Sequence, residues 1–256
     1  MPIDLNSDMG ESYGIYSIGA DEEILRWVTS ANVGCGWHGG DPQVMRQTVA
    51  RAKTLNVAVG AHPGYPDLLG FGRRPMQLSR AEARDYTLYQ IGALRAFAEA
   101  AGMTLQHVKP HGALYNVAVK DRELSLGIAE GVADAGGDLI LVGLPGSEIV
   151  KAGAAVGIRV AREAFGDRAY NEDGTLVSRK LAGSLITDPD AVAERVLGFV
   201  KGRVRTMSGK EIALEADTIC LHGDTPGAGR IARTVRERLE AAGMAPVPMG
   251  TFIRRG

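Results

Sequence analysis

Ionisable side chains recur directly after short apolar runs of this sequence, and histidines are prominent among them. Imidazole titrates near neutral pH and binds metal ions, so it can serve as a general base, a proton donor or a ligand. The groups that follow the apolar runs are Asp8 and Glu11, Cys35 and His38, His62, Lys109 and His111, Glu163 and Asp167, and His222 and Asp224. A single histidine in such a place is often structural, but four of the chain's five histidines lie there. We therefore expect a catalytic site.

The apolar runs are predicted to be strands that alternate with amphipathic helices, a pattern typical of βα units and a parallel sheet. Seven strands are predicted, at Ile3–Asn6, Ala31–Gly34, Ala58–Ala61, Leu105–Lys109, Leu139–Val142, Gly157–Ala161 and Thr218–Leu221. Apolar residues at helical spacing predict helices at Ile24–Val28, Val44–Leu55, Arg80–Ala100, Leu124–Ala135, Ser147–Ala155, Ala191–Val200 and Ile231–Ala241. Outside this alternation, Val204–Leu214 is predicted to form a β-hairpin that turns at Ser208 and Gly209.

The positions of the ionisable groups favour a closed barrel over an open sheet. In parallel α/β folds, ligands and catalytic groups collect at the carboxyl ends of the strands. Closure would bring the ends of the first and last strands to one mouth, whereas an open sheet would hold them far apart. We therefore predict a seven-stranded barrel that forms one domain over residues 1–256, a length at which α/β barrels commonly form one domain.

Composition and charge argue against several classes of protein. The chain has 29 Lys and Arg against 30 Asp and Glu, so no excess of positive charge favours binding to nucleic acid. Its first residues lack a basic segment followed by an apolar one, and no apolar run approaches the length of a membrane helix. Cys35 and Cys220 are too few for a disulfide framework. We expect a soluble protein of the cytoplasm.

Glycines 34, 36 and 39 have the G-x-G-x-x-G spacing of a dinucleotide-binding turn. Such a turn also needs an acidic residue at the end of the next strand, but that strand, V-A-V-G-A-H, ends in His62. The sequence also contains no G-x-x-x-x-G-K-[ST] phosphate loop. We expect instead that the glycines let the backbone pass close to a small ligand. Cys35 beside them is predicted to be a buried filler rather than a nucleophile.

Other charged residues admit two interpretations each. Arg73 and Arg74 lie in the stiff loop G-F-G-R-R-P. They are either a solvent-exposed pair or extend over the barrel mouth. Glu163 and Asp167 either contact substrate or anchor the long polar loop Phe165–Gly183. Lys109 ends an apolar strand, so its ammonium group needs an internal carboxylate or an anionic ligand as partner.

Seven motifs, in order along nearly the whole chain, resemble the family of 5-oxoprolinase A subunits, also called the LamB/YcsF family. The motifs are D-L-N-S-D-M-G-E (Asp4–Glu11), S-A-N-V-G-C-G-W-H-G-G-D-P (Ser30–Pro42), G-A-H-P-G-Y-P-D (Gly60–Asp67), G-F-G-R-R (Gly70–Arg74), V-K-P-H-G-A-L-Y-N (Val108–Asn116), E-A-F-G-D-R-x-Y (Glu163–Tyr170) and C-L-H-G-D-T-P (Cys220–Pro226). Trp37 and Gly39 depart mildly from the family pattern, and no departure removes an ionisable group.

The resemblance implies a TIM-like barrel of the glycoside hydrolase/deacetylase type. It also implies ATP-dependent opening of 5-oxo-L-proline, a lactam, to L-glutamate, together with partner subunits B and C. The residues then expected to be catalytic are Asp8, His38, His62, Lys109, His111 and His222. Those then expected to bind substrate are Arg73, Arg74, Glu163 and Asp224. ATP would bind in the assembled complex, without a phosphate loop in this chain.

Two alternatives stay open at this point. A metal-dependent deacetylase or amidohydrolase would use Asp8, His38 and His62 as ligands, because one carboxylate, two imidazoles and an open position form a known hydrolytic site. A non-catalytic subunit would bind the ligand and pass it to a partner. The sequence leaves open whether a divalent metal is bound.

Overall fold

A computed structural model describes residues 2–223, 225 and 227–254 of the chain. Seven parallel strands close into a barrel in the order β1-β2-β3-β4-β5-β6-β9. The barrel strands are β1 (Asp4–Met9), β2 (Ser30–Gly34), β3 (Ala58–His62), β4 (Leu105–Val108), β5 (Ile140–Gly143), β6 (Arg159–Phe165) and β9 (Thr218–Cys220). The predicted hairpin is also present, as β7 (Arg203–Arg205) and β8 (Glu211–Ala213). Both the predicted strand count and the predicted closure are confirmed.

Helices cover the outside of the barrel and begin where the sequence provides caps. They are α1 (Asp21–Ile24), α2 (Pro42–Thr54), α3 (Arg80–Ala100), α4 (Gly112–Ala118), α5 (Arg122–Asp134), α6 (Glu148–Val156), α7 (Pro189–Val200) and α8 (Ala228–Ala241). Asp41 caps α2, which starts with a proline, and Ser79 and Glu82 form a capping box on α3. Among the helices of the described residues, none is long and apolar enough to cross a membrane.

Two elements at the site differ from the prediction. Strand β6 was expected at Gly157–Ala161, but Gly157 caps α6 with a φ of 80°, and the strand runs on to Phe165. Glu163 therefore lies inside a strand and is fully buried. Helix α4 was missed because Pro110 and Gly112 are typical of a loop. It starts directly after His111, which is its N-cap residue.

Asp4 links the first and last strands at the amino end of the barrel. Its carboxylate accepts hydrogen bonds from the hydroxyls of Thr29, Ser30 and Thr218, and from the backbone N–H of Met249. Asp4 also pairs in register with Thr218 of β9. This closure holds the ends of β1 and β9 together, so the groups that follow these two strands meet at the opposite end.

Candidate functional site

A cavity of about 600 Å³ opens at the carboxyl ends of the strands. Five of the six residues predicted to be catalytic line it: Asp8, His62, Lys109, His111 and His222. Basic side chains from the surrounding loops also line it: Arg73, Arg168, Arg179 and Lys180. The volume is typical of sites for small molecules, and the combination of acid–base groups with basic side chains suits a small anionic ligand.

Lys109 is held by two internal carboxylates. Its Nζ lies 2.8 Å from Asp8 Oδ1 and 3.1 Å from Glu163 Oε1. Burial alone would lower the pKa of Lys109, but the two carboxylates raise it well above its usual range. Burial likewise opposes ionisation of Asp8, yet His62 and Lys109 hold the pKa of Asp8 well below its usual range. The partners of this lysine are therefore internal, and Glu163 is buried beneath it rather than lining the cavity.

A second group of side chains, which we call the histidine cluster, consists of Glu11, His38, His62 and His111. Each contributes one nitrogen or oxygen atom, and the four atoms lie within 4.8 Å of one another. Glu11 Oε1 lies 2.9 Å from His38 Nε2, 3.0 Å from His111 Nδ1 and 3.7 Å from His62 Nε2. Burial would raise the pKa of Glu11, but its close contacts with His111 and His38 lower it. The cluster could hold a metal ion.

His38, which was also expected to be catalytic, does not line the cavity but lies behind it, with its ring fully buried. The ring stacks on His111 at a centroid distance of 3.7 Å. Glycines enclose it: an added Cβ would come within 2.5 Å of His38 Nδ1 at Gly64 and within 2.7 Å of His38 Cβ at Gly72. Burial, together with the neighbouring His111, lowers the pKa of His38 to about 3. His38 can therefore act on the cavity only through His111, Glu11 or a bound ion.

His222 is oriented by a buried carboxylate. Its Nδ1 lies 2.8 Å from Asp167 Oδ1, and Thr225 Oγ1 also donates to Asp167. Burial would raise the pKa of Asp167, but the interaction with His222 lowers it. With Nδ1–H donated to Asp167, His222 keeps the Nε2 lone pair for a proton, as in other carboxylate-oriented histidine bases. Asp167 thus positions a histidine, which agrees with neither of the two roles considered from the sequence alone.

The remaining predicted substrate contacts differ in position. Arg73 lines the cavity, with its guanidinium 5.0 Å from the centre of the Phe71 ring. Arg74 pairs instead with Asp67, and its side chain is 66% exposed, so it lies outside the cavity. Asp224 lies outside the described residues.

Tyr115 is a cavity residue that lies inside the motif V-K-P-H-G-A-L-Y-N but was not among the predicted site residues. It lines the cavity from α4, and its pKa is raised well above its usual range by burial and by the neighbouring Glu163. It follows His111 by four residues, so helical spacing would have placed both on one face had α4 been predicted.

The glycines of the G-x-G-x-x-G segment serve packing between loops rather than a ligand. An added Cβ at Gly34 would meet the Gly10 carbonyl oxygen at 2.7 Å, and one at Gly39 would meet the Glu11 carbonyl oxygen at 2.8 Å. The expected close approach is therefore to the backbone after β1. Cys35 is buried, as expected, and burial raises the pKa of its thiol to about 12, which makes it a poor nucleophile.

A sequence model of the LamB/YcsF family matches residues 3–254. The chain belongs to the LamB/YcsF family. The 5-oxoprolinase A subunit of Thermococcus onnurineus is 58% identical to it over 255 residues, which are 99% of this chain and 100% of the relative. The protein of the same name from Bacillus licheniformis is 54% identical over 94% of this chain and 95% of the relative. The resemblance of the seven motifs is thereby confirmed.

A solved structure shares the whole architecture of this LamB/YcsF chain. The crystal structure of a lactam utilization protein from Thermus thermophilus is 50% identical and has a TM-score of 0.92. The match covers 96% of this chain and 99% of that chain. The TIM-like barrel predicted from the sequence is therefore the fold of this family.

Proposed function

We propose that this LamB/YcsF chain is the A subunit of an ATP-dependent 5-oxoprolinase, which hydrolyses 5-oxo-L-proline to L-glutamate together with partner subunits B and C. The names of its relatives and of the matching solved structure support a lactam as the substrate. The observation that carries the proposal is the cavity itself. It combines an oriented histidine, His222, and the charged Asp8–Lys109 pair with a ring of basic side chains.

The chemistry of a lactam explains why such a site is needed. A five-membered lactam is a stable amide, so transfer of the γ-phosphoryl group of ATP to its carbonyl oxygen, with ADP as the leaving group, would activate the carbonyl carbon for attack by water. The attack needs a base for the water, and cleavage of the C–N bond needs a proton for the leaving nitrogen. The acyl phosphate that remains would then be hydrolysed to glutamate and inorganic phosphate. His222 is the best-placed base, and the proton that it takes from the water can then pass to the leaving nitrogen. Arg73, Arg168 and Arg179 would neutralise the phosphate and the substrate carboxylate.

ATP binding and turnover are proposed for the assembled enzyme. The sequence has no phosphate loop, so the isolated chain is expected not to hydrolyse ATP. We place the complex in the cytoplasm, where ATP is available and where two unpaired cysteines such as Cys35 and Cys220 are usual.

The test is reconstitution from separately purified subunits. Glutamate and inorganic phosphate are measured from 5-oxoproline and ATP with each of the proteins by itself, with each pair, and with all three. The proposal predicts release of both products, in equal amounts, only when this chain and its partners are combined. Rapid ATP turnover by this chain without its partners would overturn the assignment of ATP chemistry to the complex.

A metal-dependent amidohydrolase is the second candidate, and the histidine cluster is the observation that favours it. The same experiment separates the two, because a simple amidohydrolase would release glutamate without ATP and without partners.

A further inference from the structure

The histidine cluster brings two imidazole nitrogens, His62 Nε2 and His111 Nδ1, close to each other, while the other nitrogen of each ring contacts a backbone carbonyl. His62 Nδ1 is 2.6 Å from the Lys109 carbonyl oxygen, and His111 Nε2 is 2.8 Å from the Phe71 carbonyl oxygen. A carbonyl only accepts, so each of these nitrogens must carry the hydrogen. In the neutral rings, the opposite nitrogens, His62 Nε2 and His111 Nδ1, therefore both present lone pairs, although they are only 3.0 Å apart. A cation between them would turn this repulsion into attraction.

The four atoms lie close enough to one another to bind a single transition-metal ion. Zinc binds imidazole nitrogen and carboxylate oxygen at about 2.0–2.2 Å, which places neighbouring ligands of a tetrahedral site about 3.4 Å apart. Four of the separations in the cluster are 2.9, 3.0, 3.0 and 3.7 Å. Backbone carbonyls that hold the far nitrogens of ligating histidines are also the usual outer shell of such sites.

The charges around the cluster leave a deficit of positive charge. Asp8 and Glu11 lie within 3.7 Å of His62, and Asp8 and Glu163 contact Lys109. With the imidazoles neutral, Lys109 offsets only one of these three carboxylate charges. Buried charges of one sign are costly unless they are paired. A divalent cation beside Glu11 would bring the balance of these groups to zero.

The other group of potential ligands near the cavity is a poorer candidate. Asp8, Cys220 and His222 also approach one another closely. However, Lys109 Nζ lies 2.8 Å from Asp8 Oδ1 and 3.1 Å from Cys220 Sγ, so an ammonium group already occupies this place. A metal ion there would face a positive charge at close range.

We propose that Glu11, His38, His62 and His111 form a binding site for one divalent transition metal of the zinc type. Three imidazoles and one carboxylate suit such a metal better than magnesium or calcium, which prefer oxygen ligands. His62 ends β3, and the other three ligands follow β1, β2 and β4, so the ion would link four consecutive strand ends. Four protein ligands fill a tetrahedral site, which is the pattern of a structural metal. The value of this site to catalysis rests on the proposed function, but metal binding itself does not.

Metal binding is tested on the purified full-length chain, without partners or substrate. The protein is stripped with a chelator, dialysed and titrated with Zn²⁺ against a chromogenic chelator, and separately with Co²⁺. We expect one equivalent of Zn²⁺, the intense visible absorption of tetrahedral Co²⁺, and a rise in Tm of about 5–10 °C once the metal exceeds its Kd about 100-fold. Failure to bind a stoichiometric amount, with no change in Tm, would overturn the proposal.

Variants locate the site. Glu11→Gln and His111→Asn are each expected to weaken Zn²⁺ binding at least about 10-fold and to change the Co²⁺ spectrum. The matched control is His222→Asn, a histidine of the same cavity outside the cluster, which should bind Zn²⁺ as tightly as the wild type does. Equal Zn²⁺ affinity in the wild type and all three variants would contradict the assignment of these ligands. So would a loss of affinity in His222→Asn as large as that in the two cluster variants. If the two cluster variants do not fold, the wild-type stoichiometry and Co²⁺ spectrum still decide it.

The result is separable from that of the reconstitution assay. Metal binding is measured without catalysis, and glutamate release is measured without reference to metal content. Stoichiometric Zn²⁺ binding without glutamate release would support the metal site and contradict the proposed function. Glutamate release by a protein that binds no Zn²⁺ would support the proposed function and contradict the metal site.

Discussion

Among single residues, Lys109 is unusual because its charged side chain is buried. Its side chain is 3% exposed and lies between Asp8 and Glu163, so its charge stabilises two carboxylates before any substrate arrives. The sequence required an anionic partner for this lysine, and the structure identifies the partner as internal.

Lys109→Met should therefore destabilise the fold as well as the site. Removal of the ammonium group strands Glu163, which is fully buried, and the expected loss is about 3–5 kcal/mol in the free energy of unfolding. Urea unfolding monitored by circular dichroism measures it. The double variant Lys109→Met with Glu163→Gln is the control, because it removes the stranded charge and should recover part of the loss. An unchanged urea midpoint in the single variant would show that the carboxylates do not depend on Lys109.

At the scale of elements, the turn between β2 and α2 sets the position of His38. Gly40 adopts a φ of +80°, and a Cβ there would lie 2.7 Å from the Gly10 carbonyl oxygen and 2.8 Å from that of Gly34. Gly14 has a φ of +55°, but a Cβ on it would meet no atom within 4 Å. Both glycines adopt a positive φ, but only Gly40 lacks room for a Cβ.

Gly40→Ala is expected to cost clearly more stability than Gly14→Ala. Both substitutions put a side chain at positive φ, which costs about 1–2 kcal/mol, but only Gly40→Ala also forces two loops apart. Thermal unfolding of the two variants beside the wild type measures the difference. Equal values of Tm for both variants would mean that the contact between the loops after β1 and β2 contributes nothing.

Elements with clear periodicity could be predicted from the sequence, whereas those that depend on the site could not. The seven strands and the capped helices α2 and α3 follow from apolar spacing and from side chains that bond the first turn. The polar residues of β6 break the apolar pattern, since Glu163 is buried only because Lys109 faces it. Helix α4 escaped prediction because the turn at Gly112 comes immediately before its first buried residues.

The site could be predicted as a set of residues but not as an arrangement. The groups that end the strands do converge on one cavity. Their division into a lysine with its carboxylates and a separate histidine cluster depends on the direction of each side chain, which strand positions alone do not give. Glu11 was noted after β1, but only its distances from three histidines show its importance.

At the scale of the whole molecule, the closure of the barrel by Asp4 should depend on pH. Burial raises the pKa of Asp4 to about 6, and the surrounding hydroxyl donors offset this only in part. Because the folded-state pKa exceeds the usual value, the group contributes most stability below about pH 4 and loses that contribution as the pH rises through about 6.

The wild type should therefore lose stability relative to Asp4→Asn between about pH 4 and pH 7, by about 3 kcal/mol. Asn cannot ionise, so the difference between the two proteins isolates Asp4 from all other titrating groups. Urea unfolding of both proteins across this range measures it. A difference that stays constant with pH would show that the Asp4 pKa is the same in the folded and unfolded chains.

In the proposed function, this chain supplies the acid–base groups that open the lactam, rather than only a pocket for it. The deciding measurement is glutamate release by the enzyme reconstituted with partner subunits and either the wild-type chain or His222→Asn, whose amide nitrogen takes the place of Nδ1 and can still donate to Asp167. We predict a loss of at least about 100-fold in kcat, with assembly intact by size-exclusion chromatography. Full turnover by the variant would contradict the claim and leave this chain in a purely ligand-binding role.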